Sequence, residues 1–239
     1  MACDQLEEGL DKLGLAADDR APALLSRYIE EIELFNPAYG LVKVKDRGEL
    51  IVKHILDSLG PVSLIRRLLS EKPSAEEMAA GWQIADAGSG AGLPGIPLAI
   101  CISDAEFTLI ERMGRRAGFL RDAVAVLGLS NIRVEEAELE TLARTGEKRF
   151  DVVVTRAFKP LDDALTGKLF ALAKQGGVIA AYKGRRQVIE EEMSRLLEFQ
   201  GKASGEILWE CIPVDVPFLD EERHLVLLRQ SPGLVNSDI

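Results

Sequence analysis

Apolar residues in the first 72 positions recur at the three- and four-residue spacing of amphipathic helices. We expect Asn36-Pro37 to end the second helix, because proline disfavours the helical conformation of the residue before it. Pro61 is expected to interrupt the third. The pattern predicts an N-terminal helical region over residues 1–72, followed by a polar linker over residues 73–81. The apolar stripes include Leu6, Leu10, Leu25, Ile29, Ile32, Ile51, Ile55 and Leu59.

From Trp82 onward, short apolar runs alternate with segments of helical period. This alternation predicts an α/β domain over residues 82–232 with a mostly parallel sheet covered on both faces. Two further runs near the end predict a terminal antiparallel hairpin, and residues 233–239 form a tail. The predicted strands are Gln83–Ala87, Glu106–Glu111, Ile132–Glu135, Phe150–Thr155, Gly177–Tyr182, Glu206–Pro213 and Arg223–Arg229. The predicted helices between them are Pro94–Ile102, Arg115–Leu127, Glu138–Arg144, Leu161–Lys174 and Arg185–Phe199.

Composition and charge narrow the class of protein. No run of 18 or more apolar residues is present, and the acidic N-terminus has no apolar signal core, so we expect neither a membrane span nor secretion. Cys3, Cys101 and Cys211 lie far apart, which argues against a metal site or a disulfide framework and fits the cytoplasm. The net charge of -10 argues against a generally basic surface, although a local basic patch remains compatible with it.

Candidate chemistry begins where the first strand of the α/β region ends, in the sequence DAGSGAGLPG. Asp86 closes the strand, and four glycines follow at Gly88, Gly90, Gly92 and Gly95. Glycine permits positive φ and a close approach of the backbone to a ligand, and the next helix begins with free N–H groups. The stretch therefore predicts a nucleotide-type binding corner.

The identity of that nucleotide stays open on spacing alone. Gly90, Gly92 and Gly95 match the G-x-G-x-x-G pattern of NAD-binding proteins. Glu111 ends the second strand roughly 20 residues later, the offset of an acid that binds ribose hydroxyls. Asp86 is poorly placed beside a pyrophosphate but suits a cationic or hydroxylated ligand, which favours S-adenosylmethionine over NAD.

Ordered motifs along the chain resemble one known family. They are HILDSLGP at 54–61, DAGSGAGLPGIPLAI at 86–100, ERMGRRAGFLRD at 111–122, VVTRAF at 153–158, AYKG at 181–184 and ERHLVLL at 222–228. Together they resemble the bacterial 16S rRNA guanine-N7 methyltransferase family, RsmG, also called glucose-inhibited division protein B. The resemblance implies a class I, Rossmann-like methyltransferase fold. It also implies methyl transfer from S-adenosylmethionine to N7 of a guanine near the decoding site, with 16S rRNA or the small ribosomal subunit as partner.

The same resemblance implies positions for the cofactor. Gly88 and Leu93 would contact it in the glycine turn. We also predict Asp86, Gly90 and Arg156 as cofactor-binding residues. Leu139 and Glu140 would contact the adenine, although an alternative alignment assigns this role to Glu138. Arg156 matches the arginine of an SRAF-like motif in which Thr155 here replaces serine, and the weaker N-terminal match leaves Asn36 without an assigned role.

Guanine N7 is a bare acceptor, so its methylation needs no general base. The sequence accordingly has no Pro-Cys nucleophile and no Asn-Pro-Pro-Tyr box after the fourth predicted strand. Arg156, which follows the fourth predicted strand, can donate hydrogen bonds to guanine O6 or to a phosphate, or else form a structural ion pair. Phe158 suits base stacking or core packing. His54 is either a packed core histidine or a catalytic one, and Asp57, three residues on, is placed to orient its ring. For His224 we expect a packing role.

Basic residues cluster in three places despite the acidic total, and we expect some of them to contact RNA. Lys183 is the strongest single candidate for a phosphate or cofactor contact, and we predict it and Arg156 as the catalytic pair. Two other classes of function remain open: a nicotinamide-dependent dehydrogenase, and a noncatalytic RNA-binding protein of ribosome assembly. The clusters are Lys43, Lys45 and Arg47; Arg112, Arg115, Arg116 and Arg121; and Lys183, Arg185 and Arg186.

Overall fold

The computed structural model describes residues 2–16, 20–70, 81–145, 150–156, 160–198 and 206–231. Its strands are β1 (Trp82–Ala87), β2 (Ala105–Glu111), β3 (Ile132–Glu136), β4 (Phe150–Arg156), β5 (Ala173–Lys183), β6 (Ile207–Pro213) and β7 (His224–Gln230). They form one sheet in the order β3-β2-β1-β4-β5-β7-β6. The first five strands are parallel, and β7 lies antiparallel between β5 and β6. The predicted mostly parallel sheet with a terminal antiparallel pair is confirmed.

Helices precede the sheet and connect its strands. The N-terminal ones are α1 (Ala2–Lys12), α2 (Ala21–Tyr39), α3 (Arg47–Leu50), a π-helical segment (Ile51–Leu56), α4 (Asp57–Leu59) and α5 (Val62–Ser70). The connecting ones are α6 (Gly95–Cys101), α7 (Gly114–Leu127), α8 (Leu139–Thr145), α9 (Asp163–Leu172) and α10 (Arg186–Glu198). The helices predicted between the strands are confirmed, with ends that differ by one or two residues.

Successive strand residues point to opposite faces of the sheet, and each face has its own apolar cluster. Ile84, Phe107 and Val154 pack with the N-terminal helices, α6 and α7. Ala85 and Val153 pack with α8, α9 and α10 on the opposite face. Burial on both faces explains why these strands are nearly continuous apolar runs.

Two elements differ from the prediction by more than two residues. Helix α2 continues through Asn36-Pro37 to Tyr39, although Pro37 has no N–H to donate to the preceding turn, and Gly40 ends the helix instead. Gly40 has φ 58°, and its N–H donates to the carbonyl of Asn36. Strand β5 begins at Ala173, four residues before the predicted start, because Ala173 already pairs with Phe150 of β4.

The loop between β6 and β7 packs on the N-terminal helices. Val216 is buried, and a Cβ at Gly60 would lie 2.8 Å from Val214. The division into a helical region, a linker and a methyltransferase domain stays a prediction, and residues 73–80 and 233–239 lie outside the described residues. None of the helices described here is both long and apolar enough to cross a membrane.

Candidate active site

The turn between β1 and α6 depends on its glycines. Gly88, Gly90 and Gly92 have φ values of 77°, 58° and 89°, a region that L-residues with side chains rarely adopt. The N–H groups of Gly88 and Ser89 both donate to the carbonyl of Ile110 in β2, each at 3.0 Å. The backbone of the turn is therefore fixed against the neighbouring strand.

Asp86 lies beneath this turn. Its side chain is fully buried, and its Oδ2 accepts a hydrogen bond of 2.9 Å from the N–H of Gly95. Its Oδ1 has no hydrogen-bond partner among the described residues. Burial raises the pKa of Asp86 to about 6, against the lowering effect of the Gly95 hydrogen bond and of the charge on Arg156. Asp86 thus supports the turn from below and does not line the cavity described next.

A cavity of about 810 Å³ opens above the turn. It brings together nearly all the residues that the sequence nominated, although they come from four different strand ends. The predicted residues that line it are Gly88, Gly90, Leu93, Glu111, Glu138, Leu139, Glu140 and Arg156. Asp86 and Lys183 are absent from the lining. Glu138 and Glu140 both line it, so the choice between them stays open, and Phe158 lies outside the described residues.

Glu111 joins two sides of the cavity. Its side chain is buried at the end of β2. Its Oε2 accepts from the N–H of Gly90 at 2.9 Å, and its Oε1 accepts from the N–H of Met113 at 2.8 Å. Each carboxylate oxygen retains a second lone pair for a ligand hydroxyl.

Arg156 reaches the cavity from the end of β4 and is held by the N-terminal helices. Its Nη1 donates to Asp57 Oδ2 at 2.9 Å and to the Lys53 carbonyl at 3.3 Å. Its Nη2 lies 3.3 Å from Nδ1 of His54, which also lines the cavity. Asp57 Oδ1 accepts a further hydrogen bond of 2.8 Å from Arg223. Asp57 therefore accepts hydrogen bonds from two arginines, whereas the sequence had placed it to orient the His54 ring.

Lys183 is directed away from the cavity. In the β4–β5 register Arg156 pairs with Tyr182, so the next residue, Lys183, points to the opposite face of the sheet. There its Nζ forms an ion pair of 2.6 Å with Glu192. His224 is buried, and its Nδ1 lies 2.7 Å from the carbonyl of Gly184, which agrees with the expected packing role.

Two parts of the cavity wall escaped the sequence analysis. One is Leu41 and Val42 after α2, where the N–H of Val42 donates to the Asn36 side chain at 2.9 Å. The other is the start of α9, where the N-cap Asp162 accepts from the N–H of Leu165. Only the cap had a visible local signal, an aspartate ahead of an apolar helical run. Lys168 of α9 also lines the cavity and pairs with Glu140.

The basic clusters separate in three dimensions. Lys43, Arg112 and Arg116 line the cavity, and the Arg115 guanidinium lies 5.6 Å from the centre of the Tyr39 ring. Arg47 and Arg121 pair with acidic side chains. Arg186 pairs with Glu190 on the exposed surface of α10. In the described part of the chain, no three or more histidine, cysteine, aspartate or glutamate side chains are grouped to hold a metal ion.

Comparison with known proteins identifies the family. The model described as rRNA small subunit methyltransferase G matches residues 22–209. Proteins named ribosomal RNA small subunit methyltransferase G are 37% identical to this chain in Treponema denticola, covering 94% of this chain and 93% of the relative, and 37% identical in Yersinia pseudotuberculosis, covering 95% and 98%.

Similarity to a solved structure agrees with the class I methyltransferase fold. A putative O-methyltransferase from Klebsiella pneumoniae superposes with a TM-score of 0.57 at 16% identity, covering 87% of this chain and 90% of the other. At that identity the likeness concerns the fold alone. The match to the family model and the two relatives lead to one conclusion: the chain belongs to the rRNA small subunit methyltransferase G family.

Proposed function

We propose that this protein transfers a methyl group from S-adenosylmethionine to N7 of a guanine in 16S rRNA, near the decoding site of the small ribosomal subunit. The family membership carries the proposal. The cavity above the glycine turn is where the reaction would occur. A ribosomal substrate also favours the cytoplasm as the site of action. The comparisons support neither the dehydrogenase nor the noncatalytic alternative.

The residues of the cavity fit S-adenosylmethionine. Gly88 and Gly90 expose backbone to a ligand without an intervening Cβ. The free lone pairs of Glu111 suit ribose hydroxyls, and Leu139 with Glu138 or Glu140 suits an adenine ring and its amino group. When bound, the cofactor supplies a methyl group already activated by a sulfonium.

The protein's own contribution is then positioning and electrostatics. N7 carries no proton, so its methylation needs no general base. The contacts of Arg156 leave one Nη2 hydrogen and the Nε hydrogen without a partner among the described residues. A donor aimed at guanine O6 would hold the base in plane and leave the adjacent N7 free for attack.

Methyl transfer itself tests the proposal. Purified protein should transfer radiolabelled methyl from S-adenosylmethionine to 16S rRNA or to small subunits, and the product should map as N7-methylguanine. Calorimetry should show binding of S-adenosylmethionine and no binding of NADH. Binding of NADH alone would refute the proposal, and so would cofactor binding without transfer to any form of the rRNA.

A matched pair of glutamate variants tests the cofactor site. Glu111→Gln places an amide hydrogen against one of two backbone N–H donors and removes an acceptor, so we expect S-adenosylmethionine to bind about tenfold or more weakly. Glu136→Gln changes an exposed glutamate at the end of β3 that pairs with Arg121 and lies outside the cavity lining. Its affinity should equal that of the wild type. Equal affinities for both variants would remove Glu111 from the site.

RNA would approach across the side of the cavity formed by Lys43 and Arg116. Both line the cavity, whereas Lys183 and Arg186 are paired elsewhere. Lys43→Gln and Arg116→Gln should each lower the slope of log affinity against log salt by about 1, whereas Arg186→Gln should leave it unchanged. Identical slopes for all three variants would exclude this approach.

A further inference from the structure

His54 connects two walls of the cavity. It stands on the π-helical segment, a type of helix that is frequent at functional sites. Its Nδ1 lies 3.3 Å from Nη2 of Arg156 on the sheet side. On the other side, the backbone of Lys43, which belongs to the N-terminal wall, acts to raise the pKa of the ring.

The contact with Arg156 fixes the tautomer of the neutral ring. A guanidinium has donors only, so Nδ1 must be the acceptor in that contact. The proton of the neutral ring then sits on Nε2.

The charges around the ring keep it neutral. Burial and the Arg156 charge lower the pKa of His54 to about 4, and Asp57, Glu49 and the backbone hydrogen bond with Lys43 oppose this effect. The ring is therefore uncharged at neutral pH and can accept from the guanidinium.

We propose that His54 is a positioning residue for methyl transfer, which orients the Arg156 guanidinium toward the target base by accepting its Nη2 hydrogen. The role rests on the proposed function, because Arg156 is the donor to guanine O6. With Asp57 on Nη1 and His54 on Nη2, the plane of the guanidinium is fixed at two points. The remaining hydrogens are then oriented in advance, so no conformational entropy has to be lost to orient the guanidinium in each reaction cycle.

The first test is spectroscopic and needs no activity. The chain has two histidines, and the structure gives them opposite tautomers. His54 should show an unprotonated Nδ1, whereas His224 should show a protonated Nδ1, because it faces the carbonyl of Gly184 at 2.7 Å. Nitrogen-15 NMR of histidine-labelled full-length protein distinguishes the two, with His224→Asn for assignment. A protonated Nδ1 on His54 at neutral pH would overturn the proposal.

The second test is kinetic. His54→Leu keeps bulk and removes the acceptor, and it should lower kcat about tenfold to a hundredfold with unchanged affinity for S-adenosylmethionine. His54→Asn keeps an acceptor near the position of Nδ1, and its kcat should lie within about threefold of the wild type. Full activity of the leucine variant would overturn the proposal, as would equal impairment of both variants.

Folding and function can be separated in these tests. Thermal unfolding of both variants shows whether the leucine substitution disrupts the structure. If it does, the proposal is judged by the tautomer of His54 and by the kcat of the asparagine variant. If wild-type protein transfers no methyl to rRNA, the proposed function fails even where the tautomer of His54 is as expected.

Discussion

Replacing Asp57 by asparagine removes a carboxylate that lies between two arginines at the junction of the N-terminal helices and the sheet. Arg156 donates to it at 2.9 Å and Arg223 at 2.8 Å. The side chains of these residues are only 10%, 11% and 23% exposed, in the order Asp57, Arg156, Arg223. Asparagine preserves the shape, but its amide hydrogens must face at least one guanidinium, so a buried cation loses its counter-charge.

The size of the effect follows from burial. Breaking a buried ion pair by removing one partner costs about 3–5 kcal/mol. Arg223 keeps Glu221 as a second partner, so the lower end of that range applies. A loss of about 3 kcal/mol corresponds to a fall in Tm of about 6–12 °C for a chain of this size. The free energy of unfolding should be measured by urea denaturation of the full chain, with Tm from calorimetry.

Glu221→Gln is the matched control. Glu221 pairs with Arg223 and Lys53, but its side chain is 55% exposed, so we expect a loss of about 0–1 kcal/mol. A loss below about 1 kcal/mol for Asp57→Asn, or one equal to that of the control, would contradict the argument from burial.

Three further predictions concern the turn and the far face of the sheet. The pKa of Asp86 is raised to about 6, so between about pH 4 and pH 6 the native state keeps a proton that the unfolded chain releases. This group therefore lowers the free energy of unfolding as the pH rises through that window. Asp86→Asn should remove that fall, which is about 3 kcal/mol in full, and urea denaturation across the window measures it. Gly95→Ala would place a Cβ in steric conflict with Leu109 and 2.7 Å from Asp86 Oδ2, so it should cost more than about 2 kcal/mol. Gly118→Ala, in open space on α7, should stabilise by about 0.5–1 kcal/mol, and equal Tm values for the two variants would refute this. Lys183→Gln should lose about 3 kcal/mol of stability with kcat within about threefold of wild type, and a large loss of kcat at unchanged Tm would return Lys183 to the catalytic role that the sequence had suggested.

The local parts of the site followed from the sequence because their causes are local. Glycines after an apolar strand and before a helical run predict a turn with positive φ, and Gly88 and Gly90 have it. The end of each predicted strand also lay within a few residues of the observed end. In a parallel sheet, those ends meet at one edge, which was enough to bring Glu111, Leu139 and Arg156 to the same cavity.

The sequence did not predict to which face of the sheet the cationic side chains at the strand ends point. Arg156 and Lys183 end neighbouring strands, and the sequence nominated both as catalytic. Side chains alternate between the faces of a strand, and the pairing of Arg156 with Tyr182 puts Lys183 on the far face, beside Glu192. Strand register decides this, and no local pattern in the chain reports it.

The sequence by itself determined the fold class, the family and the glycine turn, because apolar periodicity, glycine conformation and ordered motifs are properties of short stretches of chain. Only the tertiary structure decided what Arg156 and Asp86 do. Arg156 meets Asp57 across 99 positions of sequence, and Asp86 is buried beneath the turn instead of lining the cavity. Such contacts depend on which faces of helices and strands pack together, and that is settled by the burial of the whole core.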